Sequence, residues 1–442
     1  MRKGRLILAM FLIIFSIYGA IAQNSINTLT VDSKTYYFYE QKEWNKLIET
    51  GKESLRHGID FYYLRYRMGI AYYELKNYRK AVGFFKKVIE ETPEDKIAAE
   101  YLYYSYLFSG MYDDARLFGR ELPVDLKKKL NIDYERLLIN SAGAEFKYYS
   151  IDNYESSIKN GDYLNQKILK YLWYANVNIT SYTKGKFTLF QGFSYLRGKN
   201  KVFDITYYES AFNENIRQFQ YYISGNWNLS KGRYIKAAFH YITTKFEAEN
   251  PDFSTGRGQM PGNKVKYFYS KKTNGFAGFL KFGKNISNFD LRASLTLSYL
   301  NSGTQFLPGI GVTYFPFGNT DFYLGADMLY RFTNADSSFN PGLIIKSNLG
   351  ILLFKKLRIE PFMLYGQAKN LVDEDAFVVY NSINVINYWY GINLNTLIMK
   401  NRLLLYFTWQ QYSLTNSYLL NSFEKKTDFN MGTFLGGVKF RF

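Results

Sequence analysis

The sequence predicts two units of different class: an N-terminal α-helical repeat solenoid, then an antiparallel transmembrane β-barrel of about 14 strands. Three observations predict this. Residues 28 to about 129 repeat with a period of 34. From Ile139 onward the apolar residues alternate with polar ones at a period of two, over about 300 residues. Aromatics make up 19% of the chain and 43 of them are tyrosines, rings that suit a membrane–water boundary because one end is greasy and the other polar.

The 442 residues are too many for one ordinary core. There is no cysteine, which excludes disulfides and thiolate metal sites. Two histidines, His57 and His240, are too few for an imidazole cluster, so no metal or cofactor is expected. The net charge of +18 is uneven: +3 in the first 22 residues, +1 over 23–139 and +14 over 140–442. Its basic residues are scattered singly, which speaks against a nucleic-acid partner.

The first 22 residues read as a secretory signal peptide. Arg2, Lys3 and Arg5 form the positive start, Leu6–Ile17 the apolar stretch, and Ala20-Ile21-Ala22 the small-residue site with cleavage before Gln23. No other segment approaches the roughly 20 apolar residues of a membrane-crossing helix, so any insertion must use strands.

Residues 23–138 are expected to form periplasmic helical repeats, 28–61, 62–95 and 96–129, with a closing helix over Val124–Leu138. Trp44, Tyr78 and Tyr112 recur at 34, as do Phe38, Tyr72 and Tyr106, and Leu47, Ala81 and Ala115. In the middle copy Gly69, Tyr72, Ala81, Phe85 and Pro93 stand where the tetratricopeptide family places these residues, so the segment resembles that family. Arg65 departs from the usual tryptophan and Gly119 from the usual aromatic. Small Gly69 and Ala81 let two helices approach while Tyr72 and Phe85 fill the seam. Tyr62, Tyr63, Tyr101, Tyr103 and Tyr104 read mainly as packing residues, with a concave binding groove as the other reading. The resemblance implies partner binding rather than catalysis.

Residues 139–442 carry the barrel pattern. Over 289–299, Phe289, Leu291, Ala293, Leu295, Leu297 and Tyr299 alternate with Asp290, Arg292, Ser294, Thr296 and Ser298. Similar alternation runs through Phe219–Leu229, Phe322–Arg331 and Arg402–Gln410. Each run has the roughly ten residues that a tilted strand needs to cross a bilayer. Short turns are expected near 181–184, 229–232, 284–287, 316–320, 355–356 and 398–401. Longer external loops are expected near 152–166, 198–213, 248–272, 333–340, 370–382 and 414–426, with 301–304 joining that set by parity. An even strand count then puts both barrel ends on the periplasmic side. Phe434, Val438, Phe440 and Phe442 alternate with Lys439 and Arg441. This resembles the C-terminal signature of bacterial outer-membrane barrels, which implies that Val438, Phe440 and Phe442 are read by the barrel-assembly machinery.

Eleven residues are candidates for the lumen wall: Arg217, Lys236, His240, Asp290, Arg292, Asp327, Arg331, Arg358, Arg402, Lys439 and Arg441. A basic excess there would favour anionic solutes, and mutual pairing of the charges is the other reading. No catalytic residue is assigned. His240 reads as a solvated wall residue, and Asp373, Glu374 and Asp375 as a solvated loop tip rather than a calcium site.

The domain order resembles outer-membrane exporters that join periplasmic tetratricopeptide repeats to a barrel, as in exopolysaccharide secretion systems, and YaiO-like barrels. That resemblance implies a cell-outer-membrane protein in contact with lipid. It further implies a conduit for a polymer or solute, an anionic polysaccharide among the options, with a periplasmic protein docked on the repeats. The alternative is a non-conducting anchor whose repeats recruit a secretion or envelope-assembly partner. The barrel expectation has a direct check. The protein should require detergent and should migrate faster unboiled than boiled on a denaturing gel; identical migration would sink it.

Overall fold

The computed structural model describes residues 27–132 and, from 139 on, all but 152–165, 183–186, 204–211, 230–231, 251–266, 302, 334–341, 381–383, 400 and 421–422. The expected signal peptide therefore lies outside the described residues. Contacts divide the chain into two compact units, Met1–Ile132 and Asp133–Phe442.

The first unit has seven helices among its described residues: α1 (Thr28–Glu40), α2 (Trp44–Arg56), α3 (Tyr62–Glu74), α4 (Tyr78–Glu91), α5 (Lys96–Phe108), α6 (Tyr112–Glu121) and α7 (Val124–Lys129). The first six form three pairs, and both members of the second and third pairs begin 34 residues after their counterparts. The turns repeat too: Lys42, Lys76 and Gly110 all adopt left-handed backbone, with φ 55°, 59° and 79°. Asn27, Asn77 and Asp95 cap α1, α4 and α5 by accepting hydrogen bonds from free N–H groups of the first turn. Leu47, Leu64, Met68, Ala81, Phe85 and Ala115 are fully buried in one continuous core. Tyr72, Tyr103 and Tyr106 join it, Tyr62, Tyr101 and Tyr104 pack against it, and Tyr63 is exposed. Gly69 is where α3 meets the Phe85 ring. A Cβ on it would lie 2.9 Å from that ring.

The second unit is one antiparallel sheet closed on itself. Its strands are β1 (Ile139–Ile151), β2 (Gln166–Tyr182), β3 (Phe187–Phe203), β4 (Phe212–Asn228), β5 (Arg233–Asn250), β6 (Tyr267–Ile286), β7 (Phe289–Leu300), β8 (Gly303–Tyr314), β9 (Phe322–Thr333), β10 (Gly342–Leu353), β11 (Leu357–Ala368), β14 (Val385–Ile398), β15 (Leu403–Leu420) and β16 (Phe423–Arg441). Each pairs with its sequence neighbour, β11 pairs directly with β14, and β1 closes the ring on β16 from Ser141↔Arg441 to Ile151↔Met431. Two short strands between β11 and β14, β12 (Val372–Asp373) and β13 (Val378–Val379), form a separate two-stranded sheet.

The predicted alternation is what orients the wall. Phe219, Leu297, Ile310 and Tyr365 are exposed on the outside, while Gln218, Ser298, Gln305 and Thr433 are buried inside. Closure leaves no edge, so every strand's backbone groups meet a neighbour. The rim with the turns at 229–232, 287–288, 315–321, 354–356 and 399–402 is the short-turn rim. At the opposite rim the strands run further than predicted. β15 extends to Leu420 and β16 resumes at Phe423, so most of the expected 414–426 loop is paired strand, from Leu414↔Phe429 to Leu420↔Phe423. Likewise β3 and β4 pair into both ends of the expected 198–213 loop, from Gly198↔Ile216 to Val202↔Phe212.

Replacing Gly69 by leucine should push α3 off Phe85. Overpacking of this kind costs about 1–3 kcal/mol. Thermal melts followed by helical circular dichroism should show an earlier helical transition, with the gel mobility of the unboiled barrel unchanged.

Candidate functional site: a hairpin inside the barrel

The described connection between β11 and β14 enters the lumen. β11 leaves the ladder at Gly366, whose φ of 126° suits glycine, and whose Cβ would lie 2.4 Å from the Leu343 carbonyl oxygen. The register with β14 slips at the same place, between Tyr365 and Ala368. Leu371 and Val372 follow, both buried, and β12 pairs with β13 through Val372↔Val379 and Asp373↔Val378. The tip closes as the Phe377 N–H donates to the Glu374 carbonyl at 3.0 Å. Glu374, Asp375 and Ala376 all have left-handed backbone, φ 48°, 58° and 66°. For non-glycine residues that conformation costs roughly 1 kcal/mol or more each. It persists because wall residues hold Asp373, Asp375 and Ala376.

Those surroundings are named wall residues. Lys236 Nζ donates to Asp375 Oδ2 at 2.8 Å, and Lys281 Nζ donates to Asp375 Oδ1 at 2.7 Å and Oδ2 at 2.8 Å. Lys346 pairs with Asp373. Tyr222 donates its hydroxyl to the Asp375 carbonyl at 2.9 Å. His240 Nδ1 lies 2.7 Å from the Ala376 carbonyl oxygen; since that oxygen can only accept, Nδ1 carries the proton. The Phe377 ring meets Phe190 and Tyr222 edge-on at 5.6 and 5.1 Å. Tyr380 lies 4.8 Å from Trp389 and hydrogen-bonds Tyr412 at 3.2 Å. Nearer the rim, Gln305 donates to the Lys369 carbonyl at 2.6 Å and Asn301 to Asn370 at 2.7 Å. Burying side chains such as Leu371 and Val372 adds about 1.5–3 kcal/mol each.

The tip roofs a cavity of about 740 Å³. Its wall includes Asp290, Arg292, Asp327 and Glu360, from the short-turn half of β7, β9 and β11. Arg292 bridges Asp290 at 3.2 Å and Asp327 at 3.0 Å and donates to Thr313 at 2.7 Å. Glu360 accepts from Tyr323 and, at 3.3 Å, from Asn393.

Of the eleven predicted lumen residues, Lys236, His240, Asp290, Arg292, Asp327, Arg331, Arg358 and Lys439 hold inward register positions. Arg331 is only 1% exposed. Arg358 donates to the Thr320 carbonyl at 3.2 Å, and Lys439 to Thr180 at 3.2 Å. Two need correction. Arg217 shares its face with Phe219, so it points outward, 3.6 Å from Glu247. Arg402 is exposed in the turn before β15. Arg441 keeps the inward register of Lys439, opposite buried Ser141, and is exposed at the end of β16. Val438, Phe440 and Phe442 are exposed on the outer face with Phe434.

Two further readings are overturned by the hairpin. His240 is not solvated; it is 1% exposed beneath the tip, and its Nε2 has no hydrogen-bond partner among the described residues. The two aspartates of the acidic run are not solvated either, because Asp373 is 9% exposed and both face lysines; only Glu374 between them is exposed. Among the described residues no group of three or more His, Asp or Glu could hold a metal ion. Sequence reasoning missed Lys281 and Lys346, although each alternates with outward residues, Leu280 and Phe282 in one case and Ile345 in the other. It also missed Lys147, which donates to Gln410 at 3.1 Å.

No family model matches the chain, and no curated protein matches it. Among solved structures, the chain is similar to a FadL homologue of Pseudomonas aeruginosa, with 8% identity over 69% of this chain and 90% of that one, TM-score 0.45. It is similar to the toluene transporter TodX of Pseudomonas putida, with 8% identity over the same shares, TM-score 0.44. It is also similar to the translocator domain of the autotransporter NalP from Neisseria meningitidis, with 13% identity over 76% and 99%, TM-score 0.34.

Changing Asp375 to asparagine removes the negative charge, and one of the two acceptor oxygens, that two lysines share. A hydrogen bond to a charged group contributes about 1.5–3 kcal/mol. Backbone amides of 371–380 should then exchange hydrogen at least tenfold faster, with strand amides of β7 and β8 unaffected. Unchanged exchange would mean that the lysines do not hold the hairpin.

Proposed function

We propose that the chain is an outer-membrane conduit kept shut by its own inner hairpin, with tetratricopeptide-type repeats that dock a periplasmic protein. The observation that carries this reading is the seated hairpin above a charged lumen cavity. Here the plug is a single connection, held by ion pairs and hydrogen bonds to strands that do not depend on it for their own pairing.

An outer face of exposed Phe, Leu, Ile and Tyr around a closed sheet supports insertion in the outer membrane. Short turns face the periplasm in barrels of this type, and β1 begins at the short-turn rim, which supports a periplasmic position for the repeats. The outward Val438, Phe440 and Phe442 fit recognition by the assembly machinery. The cargo is a polymer or solute, and the +14 excess over 140–442 favours an anionic one such as an acidic polysaccharide. The anchor reading draws on the same hairpin, since Leu371 and Val372 are buried and would resist its leaving.

Planar-bilayer recording separates the two. The parent protein should be nearly silent, and a variant with 371–380 replaced by a glycine–serine linker should show stepwise conductance at least tenfold higher. Silence in both, from protein with the normal gel shift, would favour the anchor. A periplasmic protein captured by the full chain should be lost when residues 23–132 are removed.

A further inference from the structure

We infer that Lys236, Lys281 and Lys346 form an anion-binding site for polycarboxylate or similarly multivalent anionic solutes, and that the hairpin carboxylates occupy it as a built-in stand-in for the ligand. The proposal rests on the conduit reading only for how the hairpin comes to leave; the site itself does not require conduction.

The argument begins with how the wall divides its charges. The acids of the cavity wall are already engaged by the wall. Asp290 and Asp327 are held by Arg292, and Glu360 by Tyr323 and Asn393. The three lysines are treated differently. Among the described residues, the carboxylates that Lys236, Lys281 and Lys346 pair with come from the hairpin alone, Asp375 for the first two and Asp373 for the third. Two ammonium groups on adjacent strands, β5 and β6, converge on one carboxylate, with Lys281 reaching both its oxygens. That is the geometry by which paired lysines would grip a carboxylate or phosphate of a free solute.

The three ammonium groups are also part-buried, with side-chain exposures of 26%, 16% and 27%. Left without the hairpin, three like charges would line one low-dielectric cavity, an arrangement that draws in counter-ions strongly. All three lysines and both aspartates line the same cavity of about 740 Å³, room enough for a small polyanion or one unit of a polymer. Displacement of the hairpin and entry of an anion are thus a single exchange in which each carboxylate that leaves is replaced by one that arrives. A neutral solute makes no such exchange and would leave the lysines without partners.

The test uses citrate as the probe and the full-length protein in detergent, titrated by calorimetry at fixed ionic strength. The parent should bind citrate weakly, because its site is filled. The D373N/D375N double variant should bind at least tenfold more tightly, and adding K281Q to that background should abolish the gain. A correctly migrating double variant that binds no better than the parent, or whose binding ignores K281Q, would falsify the proposal. If the double variant does not assemble, hydrogen exchange of the parent decides. Citrate, but not chloride at equal ionic strength, should accelerate exchange at 371–380, and no acceleration overturns the site. Bilayer silence of the linker variant alongside citrate binding would sink the conduit and leave the anion site standing.

Discussion

Lipid offers backbone N–H and C=O groups no partner, and the rest of the barrel follows from that. Each exposed group would cost several kcal/mol, so the sheet must close. Closure at fourteen strands creates a second problem. About eight strands enclose a space that wall side chains can fill, and sixteen or more leave a water channel. Fourteen falls between, too wide to pack from the wall alone. The inner hairpin answers that problem, filling the bore with Leu371, Val372, Ala376 and Phe377 and meeting the wall's lysines with its own acids.

The helical unit obeys a different constraint with the same economy. One helix pair cannot bury its own apolar face, so the pair is repeated and each copy supplies the next with a surface. The left-handed turns at Lys42, Lys76 and Gly110 show that the backbone, and not only the side chains, keeps the 34-residue period. Gly69 and Phe85 show how closely the seam is matched: the ring occupies the volume that a side chain at 69 would need.

The architecture was legible in the sequence because both periods are long-range and redundant. Alternation over 289–299 predicts every inward and outward side chain of β7, and the starts of the helix pairs fall on the repeat. The hairpin was not legible. Residues 370–382 have no period and carry three adjacent acids, so they read as an external loop; only the wall, assembled from strands far away in sequence, turns those acids inward. The strand ends at 414–426 were misread for a related reason, since polar Thr415, Asn416 and Ser417 look like loop yet lie in paired strand beyond the apolar belt. Arg217 differs again: its parity with Phe219 already places it outside, and only its charge argues for the lumen.

Because β11 and β14 bond directly to each other, from Leu357↔Thr396 to Ala368↔Ile386, the wall is complete without the segment that joins them. That segment is therefore a cartridge. Changes to it need not shift a ladder pairing, so the contents of the bore can diverge between descendants of this chain while the cylinder around it stays fixed.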